Sequence, residues 1–388
     1  MIRHRVATVG RPGPAWPRAV ARWGSGATLP LEATTCVSAD ELRALVADGT
    51  VDLAIVEAGL PGVDRMLADD VRRAGTALAV VTTARLTPAA ERLRPDALLP
   101  ADFDADALAA VLHAHARERA TTRPQRTVGP DRAEPGDLLA VTGPGGTGAS
   151  TVAQALATHA ARTREVLLAD LALDADQHVR HGVAGGHDGV FELAEALRHA
   201  PIDGRALPTV PQPAGYDLLC GLRRRQEWTV LSGSVVDALL SSLQRPDRLV
   251  VADVAADLDG RVESGSLDLE ERNGLARAVA ARAGAVVVVG RWSTTGVHRL
   301  IRTLLDLEAH GIARDRLRPV LNDAPNRRGG RALAERAFRG LLADVGDGQW
   351  PTPTSVGHDA GVEHSVREGA PLPSRFVRRV GHLLEDRL

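Results

Sequence analysis

The chain has 388 residues, a formal net charge of -2, 44% hydrophobic and 25% charged residues, enough for two packed cores and too apolar for a disordered polypeptide. That near-neutral balance gives no general attraction to nucleic acid or to an anionic membrane, so no specific nucleic-acid partner is expected outside a local patch. All 47 basic residues are arginine; the sequence contains no lysine.

From residue 5 to about 118, short β-rich runs alternate with helical stretches, the pattern of a parallel sheet covered by helices. The strands are expected at Val6 to Val9, Leu53 to Val56, Leu78 to Val81 and Ala97 to Leu99. Between them Ala39 to Asp48, Val63 to Arg73 and Asp104 to Arg117 read as helices, the last with Leu108, Val111 and Leu112 on one face. Arg119 to Gly136 has no hydrophobic period and reads as a linker. A second alternating series follows, with strands expected at Leu138 to Thr142, Glu165 to Ala169, Asp217 to Cys220, Leu249 to Ala252, Ala285 to Val289 and Arg318 to Leu321. Its Val-rich runs suit central parallel strands buried on both faces. The expected domains are therefore residues 1-118, a linker at 119-136, and residues 137-388.

Two cysteines, Cys36 and Cys220, stand far apart with no metal-ligand spacing, as expected of buried thiols in a reducing cytosol. The start Met1-Ile-Arg-His-Arg has no apolar leader run, and the longest apolar stretch, near Ala285 to Val289, is too short to span a bilayer. A cytoplasmic protein is expected.

The most informative segment is Leu138-Leu-Ala-Val-Thr-Gly-Pro-Gly-Gly-Thr-Gly-Ala-Ser-Thr, which reads as strand, glycine-rich loop and helix start. It fits G-x-x-x-x-G-K-[ST] at each fixed position except the lysine, which is Ala149. Gly143, Gly145, Gly146, Thr147 and Gly148 would turn backbone N-H groups toward phosphate. The helix from Ser150 and Thr151 would add its positive end, and Ser150 sits where a Mg²⁺-binding hydroxyl belongs.

The pattern G-x-G-G-x-G-x-[ST]-T with this strand order resembles the deviant Walker A family of MinD, ParA and related ATPases, through to Leu388. The resemblance implies a mostly parallel α/β fold that holds ATP and Mg²⁺. It assigns the Walker A′ aspartate to Asp170, the Walker B aspartate to Asp253, and the adenine-reading asparagine to Asn322. Ser150 and Asp253 would hold the metal. The family's two loop lysines are replaced here by Pro144 and Ala149, and a second acidic residue after Asp170 by Ala172. Positioned positive charge is most of what phosphoryl transfer needs, and with no lysine neither this chain nor an identical partner can supply one. An arginine from another segment would have to substitute; Arg223, Arg224, Arg225 and Arg291 are the candidates.

Val51-Asp-Leu-Ala-Ile-Val-Glu-Ala-Gly-Leu-Pro-Gly62 resembles the third strand and following loop of a response-regulator receiver, with Glu57 at the phospho-acceptor position. The acidic pair expected after the first strand is replaced by Val9-Gly-Arg-Pro-Gly, and the receiver lysine near Leu99-Pro100 is absent, which describes a pseudo-receiver of flavodoxin-like fold. A degenerate receiver fused to a MinD-like domain resembles the CpaE/TadZ family, and more narrowly the actinobacterial CpaE-like septum-site-determining group. This implies a regulatory positioning protein that self-associates, is recruited to a pole, septum or inner membrane surface, and partners a secretion or pilus ATPase or division-site proteins. The alternative is an ATPase that dimerises on ATP; a third reading is a DNA-associated partition protein.

Smaller features are open to two readings. Asp174 and Asp176 either extend an acidic edge from Asp170 or are solvated loop charges. His178, His181 and His187 suggest either a metal cluster or a polar loop. The tail, with Phe376, Val380, Leu383 and Leu384 at helical spacing around Gly381 and before Glu385 and Asp386, is either a helix docked on its own domain or a peripheral membrane anchor. Arg327, Arg328 and Arg331 would be a phosphate-contact patch or plain surface charge.

Overall fold

A computed structural model of the chain describes residues 3–83, 86–121, 137–183, 189–200, 202, 204, 206–231, 233–265, 267–325, 328–343 and 350–385. These residues fall into two compact units that divide near residue 131.

In the first unit the elements alternate strictly: β1 (His4–Val9), α1 (Trp16–Ser25), β2 (Leu31–Cys36), α2 (Ala39–Ala47), β3 (Leu53–Glu57), α3 (Arg65–Arg73), β4 (Ala77–Thr82), α4 (Thr87–Arg92), β5 (Ala97–Pro100) and α5 (Ala105–Thr121). The five strands are parallel in the order β2-β1-β3-β4-β5, a doubly wound arrangement. Alternate residues feed two cores. Val6, Leu53, Ile55 and Ala79 pack with Trp16 and Val20 of α1 and Leu108 and Leu112 of α5. On the other face Ala7, Val9, Ala54, Val56 and Val80 pack with Leu42, Leu67 and Val71 of α2 and α3. Both inner helices begin on side-chain caps: Ser38 accepts from the Glu41 amide, and Asp64 from the Leu67 amide. The Asp64 cap is why the expected helix at Val63 starts at Arg65. Helix α5 runs to Thr121, past the expected end of the domain at 118, and the remainder of the expected linker, 122–136, lies outside the described residues.

The second unit begins with β6 (Leu138–Thr142), α6 (Ala149–Ala160), β7 (Glu165–Asp170), α7 (Gln177–Arg180), α8 (Gly189–His199), β8 (Val210–Pro211), β9 (Asp217–Leu219), α9 (Gly233–Leu243) and β10 (Arg248–Asp253). It continues with α10 (Arg261–Ser264), α11 (Leu267–Arg272), α12 (Gly274–Arg282), β11 (Ala285–Arg291), α13 (Thr294–Ala309), β12 (Leu317–Ala324), α14 (Arg328–Ala343), β13 (Thr354–Gly357), α15 (Ala360–Arg367) and α16 (Ser374–Glu385). The sheet order is β13-β12-β11-β6-β10-β7-β9-β8, parallel except for the β8–β9 pair. One face packs on α6 and α16, where Val141, Leu168, Val251 and Val289 meet Val152, Leu156, Phe376 and Val380. The other face is covered by α12 and α13.

The tail therefore takes the docked reading: Phe376, Val377, Val380 and Leu384 lie in the unit's own core. Gly381 has a packing reason, since a Cβ there would fall on the imidazole of His159 in α6. Among the described residues no helix is long and apolar enough to cross a membrane.

Candidate functional site

The loop between β6 and α6 opens at the carboxyl ends of the central strands, where an open parallel sheet forms a ligand crevice. Two of its glycines are required by packing. A Cβ on Gly143 would collide with the carbonyl oxygen of Val289 on β11, and Gly148, at φ 87°, would collide with the Asn322 side chain. Asn322 itself, near the end of β12, donates from Nδ2 to the Thr147 carbonyl at 2.9 Å and so ties that strand to the loop. Gly145 differs: it has ordinary φ and nothing within 4 Å of a built Cβ. Thr147 is 5% exposed and its hydroxyl has no partner.

Asp170 and Asp253 end adjacent strands in direct register. Both are buried, at 1% and 3% exposure. Burial first, and then the charge of Asp253, push the Asp170 carboxyl well above the usual carboxylate range. Burial likewise raises Asp253, to about 6, against hydrogen bonds from Gln177 and Ser150 that favour its charged form.

Gln177, which is fully buried, links these groups. Its backbone N-H donates to Asp170 Oδ2 at 2.9 Å. Its Nε2 donates to Asp253 Oδ2 at 2.7 Å and to the Ser150 carbonyl at 3.0 Å, while its Oε1 and Asp170 Oδ1 have no partner. Gln177 is held in turn by His181, whose Nδ1-H donates to the Gln177 carbonyl at 2.6 Å and whose Nε2 accepts from the Tyr216 hydroxyl at 2.6 Å. Burial lowers the His181 pKa and raises Tyr216 to about 12, so the relay stays neutral.

One turn beyond Gln177 on α7, Arg180 Nη1 donates to Thr151 Oγ1 at 3.0 Å. Its Nε and Nη2 form a fork on Asp176 at 2.8 Å each. Neither Gln177 nor Arg180 was among the residues that sequence reasoning singled out. Of the four arginines named there, the guanidinium of Arg225 pairs with Asp174 at 2.8 Å and that of Arg291 with Asp323 at 3.0 Å; the backbone amides of Arg223 and Arg224 both donate to Glu227. Asp176 thus joins the site through Arg180 and Asp174 does not. Of the histidines, His178 lies on α7, His181 bonds to Tyr216, and His187 lies outside the described residues, as does Arg327. Among the described residues no group of three His, Cys, Asp or Glu side chains is placed to hold a metal.

The phosphate part of a nucleotide fits this cradle: a twelve-residue helix starts behind it and Gly145 leaves open space. A magnesium ion does not fit as the side chains stand. The Ser150 side chain hydrogen bonds to Asp253, and one amide hydrogen of Gln177 occupies Asp253 Oδ2, the oxygen a cation would address.

No family model and no curated protein matches the chain. Among solved structures it is similar to the Pyrococcus furiosus cell division ATPase MinD, at 18% identity over 65% of this chain and 99% of that one with a TM-score of 0.48. It is similar to a ParA family ATPase from Chlorobium tepidum TLS, at 14% identity over 63% and 97% with a TM-score of 0.48. A plasmid partition protein of Borrelia burgdorferi B31, solved with AMPPNP, gives 13% identity over 64% and 97% with a TM-score of 0.47.

In the first unit, Glu57 is paired with Arg11: Oε1 lies 2.8 Å from Nε, and Oε2 accepts the Arg11 backbone N-H at 2.9 Å.

Proposed function

We propose that the chain is a regulatory positioning protein of the MinD/CpaE type whose P-loop unit holds a nucleotide as a ligand and does not turn it over. The observation that carries this reading is the Gln177 carboxamide lodged between Asp253 and the Ser150 carbonyl. It fills the position where a hydrolytic site needs a metal, beside an Ala149 that brings no charge. Phosphoryl transfer depends on positioned charge at the transferring group, and neither the loop nor a metal supplies it here.

In the same reading residues 1–118 are a pseudo-receiver. The Arg11 guanidinium stands where a receiver has its acidic pair, and neutralises Glu57, so aspartyl-phosphate chemistry has neither its acceptor nor its metal. Residues 119–136 link it to a MinD/ParA-like unit at 137–388. The protein then acts by self-association and by contact with a secretion or pilus ATPase or division-site proteins at a pole, septum or inner membrane surface.

Calorimetry and phosphate-release assays on the parent and Ala149→Lys test this. ATP binding without phosphate release by the parent is the expected result. Steady turnover by the parent, lost in Asp170→Asn, would overturn it.

A further inference from the structure

We propose that Arg180 is the cation that the glycine-rich loop lacks, gripping the phosphate chain of a nucleotide seated on residues 143–151 so that binding needs no divalent metal. The inference rests on the reading of this loop as a nucleotide site.

Three observations carry it. First, Ala149 is neutral and the chain has no lysine, so a cation at this loop must be a guanidinium or an imidazole. Second, Arg180 is the guanidinium hydrogen bonded to the loop-helix junction, with Nη1 on Thr151 Oγ1 at 3.0 Å, in the first turn of α6 where backbone N-H groups and the helix dipole already favour an anion. Third, a Cβ built on Gly145 meets nothing within 4 Å, so the loop is open there to a ligand.

The donors remain sufficient after the internal contacts. A guanidinium has five N-H groups in a planar fork; the two bonds to Asp176 and the one to Thr151 engage three. Asp176 is 47% exposed at its side chain against 19% for Arg180, so the carboxylate faces water and holds the fork in place from the solvent side.

Repulsion from the two strand-end carboxylates is the obvious objection. Gln177 answers it, because its backbone and side-chain N-H groups already cap Asp170 and Asp253. The same short helix thus places an amide over the carboxylates and, three residues on, a guanidinium beside the phosphate seat. A magnesium ion ordinarily does both jobs, and α7 divides them between two side chains.

The test is the affinity for ATP and ADP, measured by calorimetry in EDTA and again in excess Mg²⁺, for the parent, Arg180→Gln, Arg180→Lys and Arg180→Gln combined with Ala149→Lys. Thermal midpoints are recorded for each. The parent should bind equally in both buffers, within about twofold. Arg180→Gln should weaken binding by about tenfold or more at an unchanged midpoint, as loss of charge-assisted bonds requires. Arg180→Lys should fall between, since it keeps the charge and loses the fork. Ala149→Lys should restore most of the loss, which a merely structural Arg180 would not allow. Parent-like binding by Arg180→Gln, or parent binding that vanishes in EDTA, would overturn the role of Arg180 alone. A parent that binds neither nucleotide in either buffer would overturn the nucleotide reading beneath it.

Discussion

Asp253→Asn should stabilise the second unit at neutral pH and leave it unchanged in acid. In the folded chain burial raises the Asp253 carboxyl from 3.8 to about 6. A folded pKa above the unfolded one means that the native state holds the proton more tightly. The fold is therefore undisturbed by this group below pH 3.8, loses stability as pH rises from there, and carries the full cost above about 6. A gap of that size corresponds to about 3 kcal/mol. Asparagine keeps the oxygen that accepts from Gln177 Nε2 and removes the buried charge, though an imperfect amide fit discounts the gain to ~1–3 kcal/mol. Urea unfolding at pH 7.5 and pH 4, followed on parent and variant, measures both ends of the window. A variant less stable at pH 7.5, or equally shifted at both pH values, would show that Asp253 is not held as a desolvated carboxylate.

Two further outcomes follow from packing. Gly381→Ala places a methyl against the His159 ring and should destabilise by about 1–2 kcal/mol, because overpacking outweighs the roughly 1 kcal/mol gain in helix propensity; a raised thermal midpoint would refute it. Cys36 and Cys220 are buried and both thiols are pushed up to about 11, chiefly by burial, so neither should react with a thiol reagent at pH 8 until the chain is unfolded in denaturant. Rapid labelling of the native protein would contradict that.

Most of the fold was legible because its central strands are uniform. Runs such as Leu249-Val-Val-Ala and Val286-Val-Val-Val have the β-branched, continuously apolar make-up expected of strands buried on both faces. β2 was missed because it is an edge strand: in Leu31-Glu-Ala-Thr-Thr-Cys36 only the two ends are buried, so the apolar run that marks a strand is absent. β13, four residues at the opposite edge of the other sheet, escaped for the same reason. The site was half legible. Gly148 lies against Asn322, and Gln177 links Asp170, Asp253 and Ser150, positions that the family resemblance picked out, yet Gln177 and Arg180 themselves have no motif. They stand seven and ten residues beyond Asp170 in a polar stretch whose aspartates and histidines drew the notice. What places them is a four-residue helix, about one turn and too short for a repeating apolar pattern to show in the sequence.

The glycines of the loop separate what folding needs from what a ligand needs. Gly143 and Gly148 are fixed by the Val289 carbonyl and the Asn322 amide, so they would persist in a domain that had abandoned phosphate altogether. Gly145 has neither a positive φ nor a neighbour within 4 Å of a built Cβ, so no contact within the protein explains it. Gly145→Ala should accordingly leave the fold intact or stabilise it by ~0.4–1 kcal/mol through the unfolded chain. The new methyl would stand in the space a phosphate would enter, and ATP affinity should fall by about tenfold or more, since backbone N-H groups could no longer approach the oxygens. Unchanged affinity with an intact thermal midpoint would mean that nothing enters this space, and that the loop is kept for its place in the sheet alone.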